Sequence, residues 1–108
     1  MKFPQSISCF IPAYNEEDNL EATTQDIYSF LESHFEQFEL IIVANVSRDK
    51  TSIIAQELAR KYEHVRVIQQ PAFVGYGTQL KAGWEQAKYD YVFYTDSDRQ
   101  FDIRELAR

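Results

Sequence analysis

The 108-residue sequence contains one cysteine, three glycines, three prolines and few basic residues. Cys9 cannot form an internal disulfide, and its apolar neighbours predict a buried thiol in a reducing compartment. No apolar run approaches the length of a membrane span, and the first four residues lack the apolar core of a signal peptide. The net charge is −6 and no Lys/Arg run occurs, so nucleic-acid binding is not expected, because it depends on cations that neutralise phosphates. These absences indicate a cytoplasmic protein.

Hydrophobic residues make up 44% of the sequence and aromatic residues 15%, which is typical of a folded globular protein. The length allows one small domain, residues 1–108, and no linker or repeat indicates a second. From Asp102 the sequence resembles a helix start with a capping box, yet it stops at Arg108 after barely two turns. We therefore expect a truncated part of a longer protein, whose exposed sheet surface favours self-association.

Four apolar runs alternate with segments of helical periodicity. The predicted strands are residues 6–11, 40–43, 65–68 and 91–95. The predicted helices begin near Leu20, at Thr51 and after Gly75. This alternation predicts an α/β fold with a Rossmann-like parallel sheet and helices on both faces. In the expected strand order 3-2-1-4, the loops after Ile11 and Thr95 face each other at the switch point, where such sheets bind ligands.

Two aspartates, Asp96 and Asp98, follow the last predicted strand with only Ser97 between them. Because an unpaired buried carboxylate is costly, both acids should stand at the carboxyl end of that strand. Carboxylates about 5 Å apart repel by roughly 3 kcal/mol at an effective dielectric near 20. A hard divalent cation with oxygen ligands would turn that repulsion into attraction. Taken alone, the stretch fits an ordinary acidic turn slightly better.

Side chains suited to a nucleoside follow the first two predicted strands. Tyr14 offers a flat ring and Glu16 a hydrogen-bond acceptor, although a proline-led turn before an acidic helix start explains both residues as well. The amide of Asn45 can donate to and accept from a base edge, and an asparagine turn is an equal alternative.

Glycines precede the third predicted helix, as they do in loops that bind phosphate. Gly75 and Gly77 lack the third glycine of a dinucleotide-binding fingerprint, however. The favoured interpretation is therefore a tight turn at Gly75 and Gly77, with Gly83 allowing close helix packing.

Four segments carry a family pattern, and they occur in this order: Ile11-Pro-Ala-Tyr-Asn-Glu-Glu17, Leu40-Ile-Ile-Val43 with Ser47-x-Asp49-x-Thr51, Gly75-Tyr-Gly77-x-x-Leu80-x-x-Gly83, and Tyr94-Thr-Asp96-Ser-Asp98-x-Gln100-Phe101-Asp102. Together they resemble the first half of a family 2 glycosyltransferase, and most resemble its polyprenyl- or dolichol-phosphate branch. The resemblance covers essentially the whole sequence. It implies the N-terminal half of a GT-A fold, which binds a nucleoside-diphosphate sugar for transfer to an acceptor such as a polyprenyl phosphate at the cytoplasmic face of a membrane.

The resemblance also implies roles for individual residues. Those expected to bind the nucleotide sugar are Pro12, Ala13, Tyr14, Glu16, Val43, Asn45, Asp96, Ser97 and Asp98. Those expected to hold Mg²⁺ or Mn²⁺ against the diphosphate are Asp96, Asp98 and Gln100. The acceptor site and any catalytic base are expected beyond Arg108, so residues 1–108 alone should transfer little or no sugar.

The sequence departs from the family pattern at three positions. Asn45 stands in place of a usual aspartate, Lys50 in place of a glycine, and Phe73 in place of an asparagine. The change at Asn45 supports one alternative, a non-catalytic interaction module that keeps the fold. A nucleotidyltransferase-like domain is the other, although the stretch after the first strand is acidic where such a domain would be glycine-rich and basic. A receiver-like signalling domain is set aside, because the first strand ends at Pro12 and not in acids.

Overall fold

The computed structural model describes residues 3–89 and 91–94, including their side chains except at residues 3–5, 76 and 93. Strands and helices alternate along these residues. They are β1 (Phe3–Ala13), α1 (Leu20–His34), β2 (Phe35–Ala44), α2 (Thr51–Lys61), β3 (Val65–Gln69), α3 (Tyr76–Gln86) and β4 (Tyr91–Tyr94). None of the helices in this part of the chain is both long and apolar enough to cross a membrane.

The four strands form one parallel sheet in the order β3-β2-β1-β4, which confirms the predicted topology. β1 is therefore an inner strand and pairs with β2 on one side and β4 on the other. Ile11 is the register partner of Ile42 in β2, and Phe10 is the register partner of Tyr94 in β4. All four carboxyl ends consequently point to the same edge of the sheet, which we call the carboxyl edge.

Alternate residues of β1 lie in two separate apolar layers, one on each face of the sheet, because successive side chains of a strand point to opposite faces. Ile7, Cys9 and Ile11 lie in the larger layer with α1 and α2. Phe10 lies in the smaller one with Leu80 of α3. The sheet thus has helices on both faces, as predicted. Cys9 is fully buried, also as predicted, and burial raises the pKa of its thiol to about 12.

Three predicted strand boundaries are wrong by two residues or more, the first being the start of β1, which lies at Phe3 and not at residue 6. The first strand does not stop before Pro12, since Pro12 and Ala13 continue β1 opposite Val43 and Ala44. The second strand does not begin at Leu40 but at Phe35, directly after α1. Polar residues at the start of β2 hide this extension from a search for continuous apolar runs. Parallel pairing with β1 nevertheless holds this segment in the sheet, at Phe35 and again from Gln37 onward, with an irregularity between the two.

Gly83 allows α3 to approach the sheet, which confirms its predicted packing role. A Cβ at this position would lie 2.3 Å from Cδ2 of the Phe10 ring. Gly75 and Gly77 form no separate tight turn as predicted, because Gly75 directly precedes α3 and Gly77 lies inside its first turn. A Cβ on either residue would meet no atom within 4 Å, so packing does not require glycine there.

A buried carboxylate, Glu39 of β2, connects the sheet to the segment before β4. It accepts hydrogen bonds from Ser8 Oγ at 2.6 Å, Arg66 Nε at 2.8 Å and the Lys88 N–H at 2.9 Å. Ser8 Oγ in turn accepts the Tyr89 N–H at 3.0 Å. Burial alone would raise the pKa of Glu39, but these hydrogen bonds outweigh it and hold that pKa below its usual value. The network fixes where the chain enters β4.

We predict that Glu39→Gln destabilises the fold by about 2 kcal/mol at neutral pH, because it removes hydrogen bonds to a charged group. Since the pKa of Glu39 is lower in the folded than in the unfolded state, its contribution is present above the unfolded pKa. It is lost as the pH falls through the folded pKa. Urea unfolding between pH 7 and pH 3 should therefore show the two proteins converging at the acid end.

Glu36→Gln is the matched control, since Glu36 is an exposed glutamate on the same strand. It should change stability by less than about 0.5 kcal/mol. Equal stabilities for the two variants across this pH range would show that the Glu39 network does not stabilise the fold.

Candidate functional site

Three strand ends meet at the carboxyl edge. Ala13, Ala44 and Gln69 are register partners across β1, β2 and β3, so the loops that follow them leave side by side. The start of α3 lies at the same place, because buried Gln79 donates through Nε2 to the carbonyls of Ala13 at 3.3 Å and Val43 at 3.0 Å. Loops from three strands and the first turn of one helix therefore surround one surface.

The loop after β1 is held by the loop after β2. Three consecutive backbone N–H groups of the first loop donate to side-chain oxygens of the Ser47-x-Asp49-x-Thr51 segment. The bonds run from Asn15 to Ser47 Oγ at 3.1 Å, from Glu16 to Thr51 Oγ1 at 2.7 Å, and from Glu17 to Asp49 Oδ2 at 3.2 Å. In return, Asn15 Oδ1 accepts the Arg48 N–H at 3.1 Å. Side-chain acceptors thus satisfy backbone donors that lie outside the sheet and the helices.

Asp49 is central to these bonds, because its other oxygen accepts both the backbone N–H and the hydroxyl of Thr51. Desolvation would raise the pKa of Asp49, but the hydrogen bonds from Thr51 and Glu17 hold it below its usual value. The carboxylate is therefore ionised when it binds these donors. Asn15 has a φ of 51°, a left-handed conformation that asparagine tolerates better than most residues.

Asn45 joins the loop after β2 to the segment that leads into α3. Its Nδ2 donates to the carbonyl of Val74 at 2.7 Å, and its Oδ1 accepts the Val74 N–H at 3.0 Å. The same Oδ1 accepts the Val46 N–H at 3.0 Å, and the side chain is only 2% exposed. The amide that the sequence suggests for reading a base edge is thus hydrogen-bonded to the protein backbone.

Aromatic rings are exposed at this edge. Tyr14 is 41% exposed and Phe73 is 62% exposed, and their centroids lie 5.3 Å apart with an interplanar angle of 65°. Val46, in the loop after β2, is also exposed. Large apolar side chains clustered on a surface are a common feature of ligand sites.

The structure therefore brings several of the predicted site residues together and leaves others outside its range. Tyr14, Glu16 and Asn45 lie in adjoining loops at the carboxyl edge. Pro12, Ala13 and Val43 lie in the strands just below, with buried side chains. The predicted metal ligands and their neighbour, Asp96, Ser97, Asp98 and Gln100, lie outside the described residues. In residues 3–89 and 91–94, no cluster of three or more His, Cys, Asp or Glu forms an alternative metal site.

Comparison with known proteins identifies the family. Residues 8–108 match the family model described as Glycosyl transferase family 2. The chain belongs to glycosyl transferase family 2. This family 2 domain is 30% identical over 97 residues to the dolichyl-phosphate beta-glucosyltransferase ALG5A of Trichomonas vaginalis, an alignment that covers 85% of this chain and 30% of the relative.

Two solved structures share the fold. A mannosyltransferase from Pyrobaculum calidifontis, in complex with GDP-Man and Mn²⁺, superposes with a TM-score of 0.82 at 20% identity, over 97% of this chain and 31% of that one. The glucosyl-3-phosphoglycerate synthase of Mycobacterium tuberculosis, in complex with Mn²⁺, UDP and glucosyl-3-phosphoglycerate, gives 0.68 at 27% identity, over 86% and 33%. The family 2 domain thus has the predicted GT-A-like architecture and spans about a third of each of these proteins.

Sequence reasoning missed the residues that hold the site together. The Ser47-x-Asp49-x-Thr51 pattern contributes to the family resemblance, but its role in binding the β1 loop appears only in the structure. The role of Gln79 could have been suspected from the sequence. It is a polar residue one turn into a predicted helix that begins beside the predicted switch point. A side chain at that position can reach carbonyls at strand ends.

We predict that Asn45→Asp, which restores the residue usual in the family, destabilises this domain by about 2–4 kcal/mol at pH 7. A carboxylate cannot donate to the Val74 carbonyl, and it would be buried with an unpaired charge. Protonation would relieve part of that cost, so the loss of stability should shrink at acid pH. Urea unfolding at pH 7 and pH 5 measures both effects.

Asn19→Asp is the matched control, because Asn19 is exposed and precedes α1 without capping it through its side chain. An acid at that helix end should leave stability unchanged or slightly raise it. A variant Asn45→Asp as stable as the unmutated domain would refute a structural role for this amide.

Proposed function

We propose that this chain is the donor-binding part of a metal-dependent glycosyltransferase that binds a nucleoside-diphosphate sugar at the carboxyl edge. The parallel pairing of β4 with β1 carries the proposal. Because these strands are neighbours and run in the same direction, the carboxyl end of β4 lies at the edge where the Tyr14 loop leaves β1. Asp96 follows Tyr94, the last described residue of β4, by two positions in the sequence.

The nucleoside is proposed to bind over the loops after β1 and β2. Tyr14 supplies an exposed ring, and Glu16 is the proposed acceptor for ribose hydroxyls. Pro12, Ala13 and Val43 are buried, so we assign them to the floor of the site and not to direct side-chain contacts. The backbone of the β1 loop is already fixed by the Ser47-x-Asp49-x-Thr51 segment, which reduces the entropy lost on binding.

The diphosphate is proposed to bind through Mg²⁺ or Mn²⁺ held by Asp96, Asp98 and Gln100, with Ser97 beside it. This donor set fits such a cation, since all three side chains offer the oxygen ligands that hard cations prefer. In a chain with a net charge of −6, a bound cation would favour binding of an anionic diphosphate. When bound, the metal neutralises charge that develops on the departing diphosphate. The similar Mycobacterium tuberculosis structure contains Mn²⁺ and UDP, which supports the use of a divalent cation but does not bear on the individual ligands.

The acceptor is proposed to be a polyprenyl phosphate, by analogy with the dolichyl-phosphate transferase of Trichomonas vaginalis. The proposed place of transfer is the cytoplasmic face of a membrane. A phosphate oxygen of the lipid would attack the anomeric carbon of the sugar, and the bond from that carbon to the diphosphate would break. The nucleoside diphosphate then leaves with the bonding electrons. A phosphate oxygen is already anionic, so this attack requires no general base.

We predict that the chain binds UDP- or GDP-sugars in the presence of Mn²⁺ and that Asp96→Ala or Asp98→Ala weakens binding about tenfold or more. Each charged contact of this kind is worth roughly 1.5–3 kcal/mol, and 1.4 kcal/mol corresponds to a factor of ten. Isothermal titration calorimetry with and without EDTA measures the metal-dependent part. Asp26→Asn is the control, because Asp26 is an exposed acid on α1 that is distant in sequence from Asp96 and Asp98. This variant should bind like the unmutated protein.

A protein that binds no nucleotide sugar with Mn²⁺, while keeping its folded circular dichroism spectrum, would contradict the proposal. Such a result would favour the alternative of a non-catalytic module. One observation supports this alternative. Asn45 stands where the family resemblance implies an aspartate, and its amide is hydrogen-bonded to the backbone of Val74.

A further inference from the structure

Two exposed aromatic rings form a corner at the carboxyl edge. The face of one ring and the edge of the other meet at 65°, with 5.3 Å between the centroids of Tyr14 and Phe73. Both rings keep large exposed fractions, 41% and 62%. The rings come from different loops, one after β1 and one after β3, so the corner exists only in the folded sheet. We call this pair the aromatic corner.

Phe73 is held in place by its neighbour in the chain. Val74 forms two hydrogen bonds to the buried amide of Asn45, one through its N–H and one through its carbonyl. The backbone directly after Phe73 is therefore fixed to the end of β2. A ring that is positioned before a ligand arrives loses little conformational freedom on binding.

Several polar groups in the loops after β1 and β2 already have protein partners. Asn45 is bonded to Val74 and Val46, Asn15 Oδ1 accepts the Arg48 N–H, and Ser47 Oγ accepts the Asn15 N–H. The Asn45 amide, Asn15 Oδ1 and the Ser47 hydroxyl are thus engaged within the protein. Exposed ring surface is what the corner offers to a flat ligand.

We propose that Phe73 is a nucleobase-binding residue, and that the aromatic corner holds the nucleobase of the donor by stacking with little discrimination between uracil and guanine. This inference rests on the function proposed above. Stacking of a base on an aromatic side chain is worth about 1–3 kcal/mol and tolerates any base, because every base has a π-face. Hydrogen bonds to base edges, by contrast, distinguish one base from another.

The test is calorimetric titration of the full chain with UDP, GDP and inorganic pyrophosphate, each with Mn²⁺. The unmutated chain should bind UDP and GDP with affinities within about fivefold of each other, as expected when stacking dominates. Phe73→Ala should weaken both nucleotides by about tenfold. It should leave pyrophosphate binding unchanged, because pyrophosphate has no base to stack.

Phe73→Asn adds an amide where the family usually has one, and it should increase the ratio of the two nucleotide affinities. Ile53→Ala is the control, since Ile53 is an equally exposed apolar residue on α2. It should change none of the three affinities. Thermal unfolding of each variant verifies that Phe73, being largely exposed, can be replaced without loss of the fold.

The outcomes separate this inference from the function on which it rests. Metal-dependent nucleotide binding that prefers one base by about a hundredfold, or that is insensitive to Phe73→Ala, overturns the inference and leaves the proposed function standing. Equal affinities for pyrophosphate and for the two nucleotides also overturn it, because the base would then contribute nothing to binding. Absence of binding by all three probes overturns both.

Discussion

Parallel pairing of β1 with β2 and β4 is the constraint on which the rest of this molecule depends. β1 lies between strands that run in its own direction, so the loops of neighbouring strands leave at one edge. Burial of Ile7, Cys9 and Ile11 against α1 and α2, and of Phe10 against α3, fixes which face each residue of β1 presents. A slip of one residue would exchange the two faces and separate the loops that form the candidate site.

The carboxyl edge is made rigid by bonds between side chains and backbone. The Ser47-x-Asp49-x-Thr51 segment binds three successive N–H groups of the β1 loop, and Asn45 binds both backbone groups of Val74. Each contact joins the exits of two different strands, so the loops form one connected unit. These polar residues stabilise the fold, and they hold in place the loops over which a donor nucleotide is proposed to bind.

Much of the architecture could be predicted from the sequence, because strand and helix periods are local signals. Handedness rules restrict the parallel strand order to a few possibilities once β1, β2, β3 and β4 are recognised, and the expected order 3-2-1-4 is one of them. The start of β2 could not be predicted, since Glu36, Gln37 and Glu39 interrupt the apolar run, and pairing with β1 at Phe35 and from Gln37 onward holds the segment in a strand. The partners of Asn45 and Glu39 were equally hidden. Val74 and Lys88 are distant in sequence, and a hydrogen bond between remote segments leaves no periodic pattern.

The most direct test of the central claim is paramagnetic broadening by Mn²⁺ in amide NMR spectra of the ¹⁵N-labelled chain with UDP, compared with the same sample containing Mg²⁺. If the metal and diphosphate bind at the carboxyl edge, the amides of Tyr14, Glu16, Val46 and Val74 should broaden strongly. The amides of Phe35 and His64, at the opposite edge of the sheet, should remain sharp. Broadening centred on Phe35 and His64, or spread evenly over the chain, would contradict the account.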